Sequence, residues 1–118
     1  MRFTIDASAA TPPFEQLRVQ VRDAVAAGEL VAGAKLPTVR ALAEQLGLAA
    51  NTVARAYREL ETDGIIETRG RAGSFVAPQG DAGQQQAQLA ARAFVEQARR
   101  LGLDDAAALD LVRAAQRG

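Results

Sequence analysis

Four polar side chains that can read nucleic acid occur close together in the middle of the chain. An asparagine amide can pair bidentately with adenine, and an arginine guanidinium can do the same with guanine. A threonine hydroxyl can bind a phosphate or contact the methyl group of thymine. The residues are Asn51, Thr52, Arg55 and Arg58. Their chemistry predicts contacts with double-stranded DNA.

Each of these residues also has a simpler interpretation as part of a solvated helix surface. Arg58 can pair with Glu61, three residues ahead, and Arg55 can pair with Glu59, four residues ahead. For Arg58 the phosphate contact and the pairing within the helix are equally supported. The position of Arg55 nearer the start of the helix favours DNA.

Catalytic chemistry is poorly supported. The chain has no cysteine and no histidine, which removes Cys/His zinc sites, Ser-His-Asp triads and histidine acid–base catalysis. Asp104 is better explained as a helix cap and Asp105 as a first-turn partner of the helix dipole than as metal ligands beside Glu96 and Asp110. We therefore expect no enzyme, no catalytic residue, no cofactor and no metal.

The basic residues must be concentrated in one region if the chain is to bind DNA. Its 14 basic and 14 acidic residues cancel, so no general positive coat is available. Most of the acidic residues between Lys35 and Arg71 lie at or beyond the far half of the third predicted helix. No stretch reaches the roughly 20 apolar residues of a membrane span, and no signal peptide is evident, so we expect a cytoplasmic protein without membrane contact.

Three helices are predicted to position the polar residues. Apolar residues recur at helical spacing over 12–27, and Thr38 is placed to cap a second helix that ends near Leu46. A turn containing Gly47 leads to a third helix over about 51–63, as in a helix-turn-helix. Its apolar side gathers Val53, Ala56, Tyr57 and Leu60, so Tyr57 is expected in the core.

A β-hairpin is predicted to follow the third helix. Two β-prone runs, 65–68 and 74–77, flank the loop 69–73. Gly70 and Gly73 allow positive φ and a close approach to DNA, and Arg69 and Arg71 can enter a narrow minor groove. A flexible charged turn is the alternative.

The C-terminal part is predicted to form two helices, one over about 84–101 and one capped by Asp104. They carry too little apolar surface to fold alone, so they either pack on the preceding domain or pair with a second copy. A regulator that reads two DNA half-sites about 34 Å apart needs two recognition helices, which favours the homodimer. The predicted contact residues are Leu89, Phe94, Val95, Ala98, Leu101, Leu109, Leu111 and Val112. The domains are then 1–78, a linker at 79–83, and a dimerisation tail at 84–118.

Three stretches resemble the GntR family of transcriptional regulators. They are LPTVRALAEQLG at 36–47, NTVARAYRELETDG at 51–64 and GRAGSFV at 70–76. The asparagine-threonine-valine start of the third helix and the short C-terminus are similar to the YtrA-like branch. The resemblance implies a winged helix-turn-helix domain, mostly α with a small β-wing, followed by a two-helix dimerisation tail.

The resemblance also implies roles for individual residues. Arg40 matches an arginine of the family's second helix that contacts DNA. Thr38, two residues before it, is a further predicted DNA contact. Asn51 and Thr52 match polar residues at the start of the recognition helix, and Gly70 and Arg71 fall in the wing. Two departures matter, because many relatives have arginine where Ala50 and Ala54 stand.

Together these observations predict a regulator that represses transcription as a homodimer on a palindromic DNA operator. A small-molecule effector is a further expected partner, in the tail or at the dimer interface. The alternative is a winged-helix module that binds protein and not DNA.

Overall fold

A computed structural model describes residues 2–118. It confirms a mostly helical chain with a small antiparallel β-wing. One compact unit ends at Gln79 and a second begins at Gly80. The elements are α1 (Pro13–Ala26), α2 (Val39–Leu46), α3 (Ala50–Thr62), β1 (Ile66–Thr68), β2 (Ser74–Val76), α4 (Ala82–Arg100) and α5 (Asp105–Arg117).

The turn between α2 and α3 forms by the expected local rules. The Thr38 hydroxyl accepts a hydrogen bond from the Ala41 amide at 3.1 Å, which caps α2. Gly47 ends this helix with φ of 67°, a left-handed conformation that costs glycine little. The next helix starts at Ala50, one residue before the predicted position. The cap and the glycine therefore fix where α3 begins.

The first unit is held together by a core that the helical spacing predicts. Leu17, Val53, Leu60 and Val76 are completely buried. The predicted core position of Tyr57 is confirmed, since this side chain is also buried. These side chains pack α1, α3 and the wing into one core, which fixes the orientation of α3.

Tyr57 has a further role that its spacing did not reveal. Its hydroxyl donates a hydrogen bond to the Pro37 carbonyl oxygen at 2.7 Å. Pro37 immediately precedes the capping residue of α2. This bond therefore ties the middle of α3 to the start of α2.

Burial of this tyrosine has a measurable consequence. Loss of solvation raises the pKa of Tyr57 from 10.0 to about 12. Because the folded pKa lies above the unfolded one, its contribution to stability is complete below pH 10 and is lost as the pH rises toward 12. The chain has one tyrosine and no tryptophan, so phenolate absorbance reports this group alone. We expect a midpoint near 12 in the folded protein and near 10 in denaturant.

The control for this titration is Tyr57→Phe, which should unfold with no tyrosine-dependent loss of stability between about pH 10 and pH 12. It should also lose the hydrogen bond to Pro37, at a cost of about 0.5–1.5 kcal/mol at neutral pH. A midpoint near 10 in protein that is still folded would contradict the burial of the hydroxyl.

The wing contains more pairing than the predicted hairpin. Within it, Ile66 pairs with Val76 and Thr68 pairs with Ser74. A third segment also pairs with β2, through Gly33 N to Val76 O at 2.8 Å and Leu36 N to Ser74 O at 2.9 Å. Its pairing anchors the wing to the chain that leads into α2.

Two glutamines of α1 hold the N-terminal segment in place. The Gln20 amide group bonds both the Thr4 amide, at 3.0 Å, and the Thr4 carbonyl, at 2.7 Å. Gln16 holds Asp6 in the same way, with both distances 2.9 Å. Phe3 is buried as a result. No helix or strand is predicted for this segment from the sequence.

The tail helices differ from their predicted bounds at one end. The first begins at Ala82 and not near Gln84, because Asp81 and Gln84 form a reciprocal capping box. The predicted linker at 79–83 is therefore too long at its C-terminal end. The Asp104 cap is confirmed, with its carboxylate accepting from the Ala107 amide at 2.8 Å. No helix in residues 2–118 is long and apolar enough to span a membrane.

Candidate DNA interface

The recognition-helix candidate α3 presents most of its predicted DNA contacts to solvent. Asn51, Arg55 and Arg58 are exposed, and Thr52 is half-buried. Residue Ala49 precedes the helix and supplies no side-chain cap. The first turn of α3 therefore offers backbone amides as well as polar side chains, and helix N-termini bind phosphate through such amides.

Arg55 contacts α1. Its guanidinium carbon lies 3.7 Å from the centre of the Phe14 ring, which is a close cation–π contact. The alternative pairing of Arg55 with Glu59 does not form in the described structure. Phe14 belongs to the segment 12–27, whose helical spacing predicts an apolar helix face and no contact with a charged group. The side of α3 that carries Arg55 is therefore in contact with α1.

A second basic residue joins α1 to the end of α3. Arg18 donates from Nε to Glu15 at 3.0 Å, and its Nη1 lies 3.7 Å from an oxygen of Asp63. The hydrogen bond to Glu15 and the charges of Asp63 and Glu59 hold the pKa of Arg18 above its usual value. The acidic residues on this side of α3 are thus turned toward α1.

The other predicted helix pairing is absent too. Arg58 forms no ion pair with Glu61 in the described part of the chain. The Glu61 carboxylate instead accepts a hydrogen bond from the Thr68 hydroxyl at the end of β1. This contact leaves Arg58 exposed and joins α3 to the wing.

The two wing arginines have different surroundings. Arg69 donates to Glu67 at 2.9 Å and lies 4.4 Å from the centre of the Phe75 ring, so both its charge and its plane have partners. Arg71 is exposed in a short 3₁₀ turn at Gly70–Ala72. Gly70 and Gly73 have φ of 54° and 111°, the positive values expected for this loop. Of the two, Arg71 is the arginine available to a partner.

The second helix contributes a further basic group. Arg40 is exposed in the first turn of α2, while the Thr38 hydroxyl is already used as the cap. Across residues 2–118, none of the ion pairs involves Arg40, Arg58 or Arg71. Arg40, Arg58 and Arg71 therefore remain as exposed arginines without an ion-pair partner among residues 2–118.

The second unit carries an open apolar groove between α4 and α5. Its volume is about 550 Å³, and its apolar lining includes the predicted dimerisation residues Phe94, Val95, Leu109 and Val112. Arg99 of α4 and Asp105 of α5 also line it and form an ion pair at 3.2 Å between the two helices. Leu89, Leu101 and Leu111 are exposed but lie outside the groove lining.

One predicted dimerisation residue is corrected. Ala98 is only 2% exposed, because it packs inside the unit where α4 meets α5, and Ala108 is buried with it. A small side chain at this position lets the two helices approach each other. It is therefore part of the tail's own packing and has no surface to offer a second copy.

Comparison with known proteins agrees with this geometry. The family described as bacterial regulatory proteins, gntR family, matches residues 13–76. The HTH-type transcriptional regulator Rv1152 of Mycobacterium tuberculosis is 56% identical over 84% of this chain and 81% of its own length. The HTH-type transcriptional repressor YtrA of Bacillus subtilis is 45% identical over 62% of this chain and 56% of its own length.

A solved structure extends the likeness to nearly the whole chain. YtrA from Sulfolobus acidocaldarius, a GntR-family transcription factor, covers 98% of this chain and 97% of its own, with a TM-score of 0.62 and 27% identity. The winged helix-turn-helix fold is thereby confirmed. The named relatives are transcriptional regulators and not enzymes. The chain belongs to the GntR family of bacterial regulatory proteins, and residues 13–76 are its DNA-binding helix-turn-helix domain.

Proposed function

We propose that this regulator represses transcription by binding a palindromic operator as a homodimer. The observation that carries the proposal is the outward side of α3, where Asn51 and Arg58 are exposed and Arg58 has no acidic partner. A major groove admits one such helix, and the residues near its N-terminus reach the base edges.

The proposed contacts follow from the chemistry of each side chain. Asn51 pairs with an adenine, and Thr52 binds a phosphate or a thymine methyl group. Arg40, in the first turn of α2, contacts a phosphate of the DNA backbone. Thr38 supports this contact by capping the start of α2. In the wing, Gly70 and Gly73 let the loop approach the minor groove so that Arg71 can enter it.

The dimer is needed because one subunit offers few cations to DNA. Phosphate contacts supply much of the affinity of such proteins, and only a few arginines of the first unit are uncompensated. A second copy doubles them and adds the second half-site. We place the dimer contact at the tail groove, because its exposed Phe94, Leu109 and Val112 are the kind of apolar surface that a partner covers.

Repression is the regulatory outcome that we propose, by analogy with the Bacillus subtilis relative, which is named as a repressor. A dimer bound to an operator that overlaps a promoter would exclude RNA polymerase from that promoter. Because chromosomal DNA is the proposed partner, the protein would act in the cytoplasm. We place the site of any small-molecule effector in the tail or at the dimer interface.

Selection of bound duplexes from random DNA tests this function. We expect an enriched pseudo-palindrome with half-site centres about 34–36 Å apart, bound with an affinity that falls steeply with added salt. Placing the selected site over a reporter promoter should then lower transcription. No enrichment over random duplex at low salt would contradict the proposal and favour a module that binds protein.

A further inference from the structure

The sides of α3 can be assigned from contacts that its own residues make. At about 100° per residue, Arg55 is rotated roughly 60° from Arg58 in one direction and Glu61 roughly 60° in the other. Asn51, seven residues before Arg58, lies within about 20° of it. The contacts of Arg55 and Glu61 therefore show which structures border the line that Asn51 and Arg58 share.

The border on the Arg55 side is α1. Arg55 stacks on Phe14 at 3.7 Å, and two turns further along α3 Asp63 approaches Arg18 at 3.7 Å. The charge of Arg55 also contributes to lowering the pKa of Glu15, after the larger effect of the Arg18 hydrogen bond. This side of α3 is thus fastened to the first helix along its length.

The border on the Glu61 side is the wing. Glu61 accepts from Thr68, and the chain beyond α3 is tied down by the Ala77 amide, which donates to the Ile65 carbonyl at 2.9 Å. Arg58 lies between these two borders and has no ion-pair partner in the described residues. The line through Asn51 and Arg58 is therefore exposed polar surface that lies between the α1 border and the wing border.

We infer that Arg55 is a positioning residue and not a DNA contact, and that Arg58 takes the second DNA contact of the recognition helix beside Asn51. The contact with Phe14 helps to hold α3 against α1, and it keeps the Arg55 guanidinium on the α1 side of the helix, about 60° around α3 from Arg58. The inference deepens the proposed function and depends on it for the role of Arg58. The Phe14–Arg55 contact is independent of DNA.

Four variants separate the two arginines. They are Arg55→Ala, Phe14→Leu, the Phe14→Leu/Arg55→Ala double variant, and Arg58→Ala. Phe14→Tyr keeps a ring for the stack and serves as the matched control. For each, we would measure the base preference at every operator position, the dependence of affinity on salt, and the free energy of unfolding in urea.

Arg55→Ala and Phe14→Leu should each weaken operator binding while the preferred base at every position stays the same. Their effects on stability and on affinity should be coupled, so that the double variant loses less than the two single losses combined. Phe14→Tyr should bind like the unmodified protein. Arg58→Ala should either reduce discrimination at one base pair by roughly 5- to 150-fold or reduce the salt slope by about one.

Two sets of results would overturn the inference. One is a change of base preference or a reduced salt slope in Arg55→Ala, or additive effects of the Phe14 and Arg55 substitutions. The other is an Arg58→Ala protein with unchanged preference and salt slope. Failure of the proposed function looks different, because the unmodified protein would then select no site at all, while the coupling in urea would still decide the role of Arg55.

Discussion

Replacing Leu109 and Val112 together with aspartate is expected to produce a monomer whose affinity for a palindromic operator is lower by roughly 10²- to 10⁴-fold. Both side chains line the tail groove and are 49% and 37% exposed, so the substitution should not disturb the core of the unit. Two carboxylates in the contact would have to be buried without partners, which opposes association. Affinity falls because the two DNA-binding domains are no longer linked, so binding at one half-site no longer raises the local concentration of protein at the other.

Light scattering after size exclusion measures the mass, and equilibrium titration of labelled duplex measures the affinity. Ala114→Asp is the matched control, because this residue is exposed and lies about 160° around α5 from Val112. It adds the same charge to the same helix outside the groove, and should leave both mass and affinity unchanged. A Leu109→Asp/Val112→Asp protein that remains dimeric would place the dimer contact elsewhere.

The features that could be predicted from the sequence are those set by neighbours within one or two helical turns. The Thr38 cap, the Gly47 terminator and the Asp104 cap each depend on a hydrogen bond or a backbone angle inside a short segment. The apolar side of α3 follows from the same kind of periodicity. The start of α4 is also set locally, by the capping box that Asp81 and Gln84 form two residues before the predicted start.

Side-chain roles in the interface were harder to predict because their partners are distant in sequence. Arg55 had a plausible partner in Glu59 one turn away, but a ring on another helix provides its contact. Arg58 had a plausible partner in Glu61, which bonds the wing instead. Arg69 and Arg71 are identical in type and nearly adjacent. Arg69 differs from Arg71 in its pairing with Glu67 and in the position of Phe75 across the hairpin.

The tail shows the same limit for apolar residues. Periodicity correctly places Ala98 on the same side of α4 as Phe94 and Val95. Periodicity alone does not predict which part of that side is covered by α5. Because α5 packs over Ala98 and leaves Phe94 37% exposed, the surface available to a second copy is narrower than the predicted one.

Asn51→Ala is expected to weaken binding to the selected operator by roughly 5- to 150-fold while binding to random duplex stays nearly unchanged. The amide lies in the first turn of α3, on the outward line that it shares with Arg58. Its proposed contact is a bidentate pair with adenine, and such a pair discriminates by about 1–3 kcal/mol. Since an amide carries no charge, its removal should not alter the dependence of affinity on salt.

Competition between operator and random duplex, repeated at several salt concentrations, measures both quantities, and Gln45→Ala is the control. Gln45 is an exposed amide of the same unit, about 140° around α2 from Arg40. Its loss should change neither affinity. In an operator whose contacted adenine is replaced, Asn51→Ala should bind as well as the unmodified protein, because the pair is already broken. Equal losses on operator and random duplex would show that Asn51 supports general binding to the backbone, and base reading would then have to come from other residues.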